Sequence, residues 1–230
     1  TEDSAYRYKS DQTKGLEFPA GSLERIMAQD IPPSTRVAFS YEDFFPSAAT
    51  TISIRETLLL RLGYSKTIGR PELDELIPRV TETDTDVAGY DGTLNARNPA
   101  LKPWSADNYD LSLEYYFNRG GGVISVGAFQ KIITNPFASI TGSLTPEAAA
   151  LLGYDYAAYS NYRFVTRYNS IEDAKITGWE FDYRQQVGSL IPFAKGLTRF
   201  ANGTLPDLDG SRDADFDQFY PKTANWGFTY

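Results

Sequence analysis

Several sets of side chains have the types and spacing that chemistry uses. The run Asp207-Leu208-Asp209-Gly210-Ser211-Arg212-Asp213-Ala214-Asp215-Phe216-Asp217 sets carboxylates at alternate positions, the arrangement hard cations such as calcium prefer. Its glycine stands fourth rather than sixth and no Glu closes it, so residues 207–217 read as a solvated external loop, with a bound cation as the lesser alternative. Glu180 and Asp182 form a carboxylate pair of the kind that hydrolyses glycosides. They are i, i+2 neighbours with Arg184 next on the same strand face, and no apolar pocket stands by to raise a pKa. Water or a paired surface suits them better. Glu82, Asp84, Asp86 and Asp91 read as loop solvation. Tyr and Trp on apolar faces suggest either sugar-stacking platforms or interfacial residues. No catalytic, cofactor-binding or metal-ligating residue emerges, so the expectation is a protein that is not an enzyme and needs no cofactor. The substrate-contacting residues are not legible.

The elements that must position these residues are strands. Period-2 alternation dominates the chain. In residues 108–117 one face reads Tyr109, Leu111, Leu113, Tyr115, Phe117 and the other Asn108, Asp110, Ser112, Glu114, Tyr116. At ~3.4 Å per residue and ~45° tilt, eight such residues cover roughly 19 Å of membrane depth. Leu58, Leu60, Leu62 and Tyr64 repeat the pattern, as do Trp179, Phe181 and Tyr183, and Ile124, Val126 and Ala128. Around 197–204, Arg199 shares parity with Leu197 and Ala201, so those faces stay unassigned. Short connections at 54–57, 118–122 and 187–195 alternate with long polar segments at 69–103, 134–162 and 205–223. Short turns at one end and long loops at the other are the asymmetry of outer-membrane barrels. Within the second long segment, Pro146–Leu152 reads as a short helix with Thr145 as its N-cap.

Composition limits the partners. The 230 residues carry a formal net charge of −8, and no basic stripe offers a footing for nucleic acid. No run approaches the ~18 apolar residues of a membrane helix, which leaves a transmembrane β-barrel open. The chain has no Cys and no His, which removes a disulfide framework, thiolate chemistry and the usual zinc ligand. It opens with Thr1-Glu2-Asp3, so any signal peptide lies outside it.

Five stretches, in order, resemble the TonB-dependent receptors. Phe45-Pro46-Ser47 looks like that family's "LPS" segment. Leu60-Arg61-Leu62-Gly63-Tyr64-Ser65-Lys66-Thr67-Ile68-Gly69-Arg70-Pro71 resembles its R-x-x-Y-S-K-T-x-x-R-P strand. Asn98-Pro99-Ala100-Leu101-Lys102-Pro103 is similar to its G-N-P-x-L-K-P motif, with Arg97 where Gly is common. Gly178-Trp179-Glu180 matches a G-x-E strand, and Lys195-Gly196 with Asn202-Gly203-Thr204 matches a K-G-L … N-x-T strand. In such a strand Asn202-Gly203-Thr204 is a glycosylation sequon by form only.

The resemblance implies an all-β fold, an antiparallel meander forming part of a large outer-membrane barrel of 22 strands in the family. Residues 1–43 are expected as a loop or irregular segment, and 44–230 as a partial transmembrane barrel of about seven strands. The family's N-terminal plug and TonB box have no counterpart here, which makes the chain a fragment on this expectation. The implied function is active uptake of a scarce external solute, such as a siderophore, cobalamin or an oligosaccharide, across the outer membrane of a Gram-negative bacterium. The implied partners are the TonB complex (reached through the missing plug), the external ligand and outer-membrane lipid. A soluble carbohydrate-binding β-sandwich and a passive porin are the alternatives.

Overall fold

The computed structural model describes residues 5–7, 14–30, 37–39, 42–117, 121–189, 191, 194, 196–210 and 222–230. β1 (Ala5–Arg7) and β2 (Val37–Phe39) form a two-stranded antiparallel ribbon, with α1 (Leu23–Asp30) between them in sequence. Residues 1–43, expected as irregular, therefore contain short regular elements.

From there the chain runs through β3 (Ser47–Arg55), β4 (Leu58–Gly69), β5 (Val80–Thr83), β6 (Gly92–Ala96), β7 (Trp104–Phe117), β8 (Gly122–Thr134) and β9 (Phe137–Ser143). It continues with α2 (Pro146–Leu152), α3 (Tyr156–Tyr159), β10 (Tyr162–Asn169), β11 (Ala174–Gln186), β12 (Thr198–Gly210) and β13 (Thr223–Thr229). Seven of these strands form one antiparallel sheet in the order β13-β12-β11-β8-β7-β4-β3, so β3 and β13 are its two edges. The connections β3–β4, β7–β8 and β11–β12 are short and lie at one end. Those between β4 and β7 and between β8 and β11 lie at the other, together with the end of β12, as strand alternation requires, and residues 211–221 lie outside the described residues. Of the short connections, residues 118–120, 190, 192, 193 and 195 lie outside the described residues.

The register sorts the side chains as the alternation predicts. One row across the sheet is Leu62, Leu111, Ala128, Trp179, Leu205, and the next is Leu60, Leu113, Val126, Phe181. Among the described residues nothing covers this apolar face: Leu111 is 45% exposed and Phe181 45%. A β-sandwich would have buried it under a second sheet. Aromatic rings border the face at both ends. Tyr64 and Tyr109 stand with centroids 5.3 Å apart at one end, and Phe117 stacks on Tyr183 at 6.4 Å at the other. The opposite face is polar: Arg61, Ser112, Gly127, Glu180 and Thr204 make one row. There Arg61 Nε donates to Glu114 Oε1 at 2.7 Å and Tyr116 donates to the same carboxylate at 2.9 Å.

Arg199, whose parity was ambiguous, belongs to the apolar face, opposite Gln185 and Phe228. Its Nε donates to Gln185 Oε1 at 3.1 Å and its guanidinium lies 5.3 Å from the centre of the Tyr183 ring. The position is next to the short-turn end, where a long cationic side chain lays its stem on the apolar surface and turns its head to the edge.

The strands are longer than expected. β7 has 14 residues where alternation marked ten, and the gain lies at the long-loop end. At ~3.4 Å rise and ~45° tilt, fourteen residues span about 34 Å, more than an apolar band about 25 Å tall. The ladder continues where the apolar contrast has ended, so the periodicity fades before the strand does. β12 likewise runs to Gly210, through the first part of the acidic segment expected as a loop.

The larger correction concerns the long segments themselves. Their strands build a second sheet in the order β5-β6-β10-β9, with β6 and β10 parallel. Leu94 and Phe164, both 0% exposed, are its centre, packed with Ala96, Leu144, Ala148 and Ala149. α2 forms where expected. Thr145 is the N-cap, accepting from the Ala148 N–H at 3.2 Å, Pro146 opens the first turn, and Gly153 at φ 75° closes the helix. No helix among the described residues is long and apolar enough to cross a membrane.

Candidate ligand-facing surface

The long connections and the second sheet gather polar groups at one end of the molecule. Asn98, Pro99, Ala100 and Leu101 of the motif are buried there, with Asn98 1% and Leu101 1% exposed, and Lys102 is exposed beside them. Asn98 accepts the Ala100 N–H at 2.8 Å in a local turn and donates to the Arg167 carbonyl at 2.9 Å. Asn169 answers from β10: its amide donates to Lys102 O at 2.8 Å and Asn135 O at 3.0 Å, and its Oδ1 accepts Lys102 N–H at 2.7 Å. The asparagines thus tie the β4–β7, β8–β9 and β10 segments together. The motif's role at this point is structural: buried backbone polar groups need partners.

Arg97, standing where the motif commonly has Gly, carries an ion-pair network. It contacts Glu75 through Nη1 and Asp74 at 2.9 Å, while Arg79 reaches Asp74 at 2.9 Å and Arg167 lies 4.0 Å from Glu75. Glu75 is 8% exposed, so its pairing with Arg97 offsets a desolvation cost that an isolated carboxylate could not bear. Sequence reading missed this cluster. Its one signal was the Arg in place of Gly.

A second cluster is aromatic. Tyr154, Tyr159 and Tyr162 follow one another at centroid distances of 4.9 Å and 4.9 Å. Tyr162 donates to Glu82 Oε1 at 2.8 Å and Tyr159 to Glu82 Oε2 at 3.4 Å. The hydrogen bond to Glu82 raises the Tyr162 phenol pKa, and the charge of Glu82 raises that of Tyr159. Glu82, expected to do no more than solvate a loop, therefore anchors two hydroxyls from β5.

The other residues singled out from sequence do not converge. Glu180 and Asp182 lie on the polar face of β11, both open to water, with Asp182 3.6 Å from Arg184. Asn202 accepts a hydrogen bond from Asn225 at 3.1 Å inside the sheet. Asp207 and Asp209 sit on β12, and residues 211–217 lie outside the described residues. No group of three potential metal ligands occurs among the described residues.

Two of the concavities among the described residues bear on a site. One, of about 680 Å³, lies on the apolar face where Ala48, Thr50 and Ala128 leave room among Leu62, Tyr64 and Leu111. It is a shallow dent between large and small side chains with a mostly apolar lining, in which Thr50, Gln130 and Thr177 are among the polar members. The other, of about 500 Å³, is polar and lies among Arg25, Lys102, Asn135, Asn169 and Glu172 at the long-loop end.

Comparison with known proteins agrees with this geometry. The family model described as TonB dependent receptor-like, beta-barrel, matches residues 4–230. The siderophore receptor PirA from Pseudomonas aeruginosa superposes with TM-score 0.55 at 16% identity, over 73% of this chain and 28% of that one. A mutant of the ferric enterobactin receptor PfeA from Pseudomonas aeruginosa gives TM-score 0.50 at 22% identity, over 71% and 22%. Another PfeA mutant, in complex with enterobactin, gives 0.51 at 19%, over 71% and 22%. The chain thus spans about a quarter of the length of these receptors. No curated protein matches it.

Proposed function

The chain belongs to the TonB-dependent receptor β-barrel family, and from that premise we propose that it forms part of the wall and external surface of an outer-membrane receptor taking up a scarce external solute. The observation that carries the reading is the uncovered apolar face, rimmed by aromatic rings at both ends and backed by a polar face of charged and amide groups. That is the section of a barrel wall between lipid and a wet lumen. On this reading the long-loop end is external and meets the solute, the short turns are periplasmic, and energy arrives through a plug and its TonB contact. The protein performs transport rather than catalysis.

The PirA and PfeA likeness supports the fold of a siderophore receptor's barrel. A siderophore is one solute class that fits, beside cobalamin and oligosaccharides. The test is uptake, in cells with and without working TonB, of the solute that co-purifies with the protein. Uptake lost without TonB supports the reading. Equal uptake in both overturns it in favour of a passive porin.

A further inference from the structure

The polar cavity at the long-loop end has the dimensions and chemistry of a small-solute site. Its volume of about 500 Å³ falls within the 300–1,000 Å³ of ordinary ligand pockets. Four separate parts of the chain supply its walls: α1 gives Arg25, the Asn98–Lys102 turn gives Lys102, the β8–β9 turn gives Asn135, and the end of β10 gives Asn169 with Glu172 just beyond. Asn169 spends its side chain on the backbone of Lys102 and Asn135. It thereby fixes two of the walls before any ligand arrives, which removes part of the ordering cost of binding.

The Lys102 ammonium makes no ion pair, and the Asn135 side-chain amide no hydrogen bond, among the described residues. Asn135 is held at φ 56°, the one non-glycine residue with positive φ among the described residues. Arg25 gives one N–H to Phe18 O at 3.3 Å and keeps the others. In a chain of net charge −8, Arg25 and Lys102 against Glu172 make a local cationic excess.

We infer that this cavity binds a small organic acid carrying a hydroxyl beside its carboxylate. Arg25 and Lys102 hold the carboxylate through charge-assisted hydrogen bonds, and Glu172 accepts from the hydroxyl. The proposal rests on the receptor reading for the route by which such a solute reaches the site, and deepens it by naming a solute class.

The probe is malate, titrated calorimetrically against the full chain in lipid nanodiscs, with succinate (the same acid without the hydroxyl) and inorganic phosphate in parallel arms. Saturable malate binding is expected. Lys102→Gln should weaken it by about tenfold, the loss of one charge-assisted hydrogen bond. Asn135→Gly, which keeps the positive φ and removes the amide, should weaken it less while preserving the fold. Glu172→Gln should erase the preference for malate over succinate, and Lys175→Gln, on the β11 strand, should change nothing. Absence of saturable malate binding, or an unchanged affinity in Lys102→Gln, overturns the site. Phosphate binding tighter than malate overturns the carboxylate assignment. Insertion of the same preparations into vesicles is scored separately: a chain that inserts and does not bind malate loses this site and keeps the receptor reading, and one that binds malate without inserting does the reverse.

Discussion

The indole of Trp104 lies flat over Gly69, its cross-strand partner, in the space a side chain there would occupy. The contact closes the long-loop end of the β4–β7 pair and packs Trp104 against the buried cluster of Ala106, Ile133 and Ala174. Phe129 covers Gly178 in the same way two strands on, its ring 2.6 Å from where a Cβ would stand. An aromatic ring over a cross-strand glycine restores the packing that the glycine lacks.

Gly69→Ala should therefore expel the indole rather than fill a void. The expected cost is ~1–3 kcal/mol, as for overpacking at a tight site. Trp104 emission should shift to longer wavelength as the ring enters water. Unchanged emission and stability would show that the ring has another seat.

The same pair shows how far the sequence carried. Gly69 lay within one recognisable motif and Trp104 directly after another, and the alternation around Leu111 marked which face is apolar. On the barrel-wall reading the alternation arises because a membrane band imposes a strong polarity contrast on every second residue. Beyond the band that contrast ends. The second sheet, with strands of four to eight residues, escaped notice because its core is set by single residues such as Leu94 and Phe164 brought together from distant segments. Arg97–Glu75 and Asn169–Lys102 pair across 22 and 67 residues, a relation that no local spacing reveals.

Phe164 tests whether the second sheet is a separate unit. It is fully buried against Leu94, Ala148 and Ala149. Phe164→Ala should cost ~3–5 kcal/mol, spent within that sheet. Hydrogen exchange should rise in β5, β6, β9 and β10 while β7, β8 and β11 stay protected. Uniform loss of protection would instead mean that the two sheets unfold as one.

Glu82 supplies a pH test. Its hydrogen bond and charge raise the Tyr162 and Tyr159 phenols above their ordinary value. A raised folded-state pKa means that the folded chain holds those protons more tightly. The associated stability is present below the unfolded value, near pH 10, and is lost as pH climbs through the folded values. Ultraviolet titration of tyrosinate should show a late-ionising fraction, and Glu82→Gln should move it to lower pH. If the variant titrates like the parent chain, Glu82 does not act on these phenols.

The last test separates the two faces of one strand. Leu111 is 45% exposed on the apolar face, and Ser112 is its neighbour on the polar face, in the row of Arg61, Gly127 and Glu180. In a barrel wall Leu111 meets lipid and Ser112 meets water. Arginine on the lipid face near the midplane costs ~2–4 kcal/mol, whereas a lumen position can hydrate it. Leu111→Ala should be milder, because lipid chains fill the space left by the side chain. In a packed core the same truncation would leave a cavity worth ~2–5 kcal/mol. Folding into lipid vesicles, measured for Leu111→Arg, Leu111→Ala and Ser112→Arg, should thus rank them from most to least damaging in that order. Should Ser112→Arg prove as harmful as Leu111→Arg, both faces are packed, and the assignment of lipid and lumen sides fails.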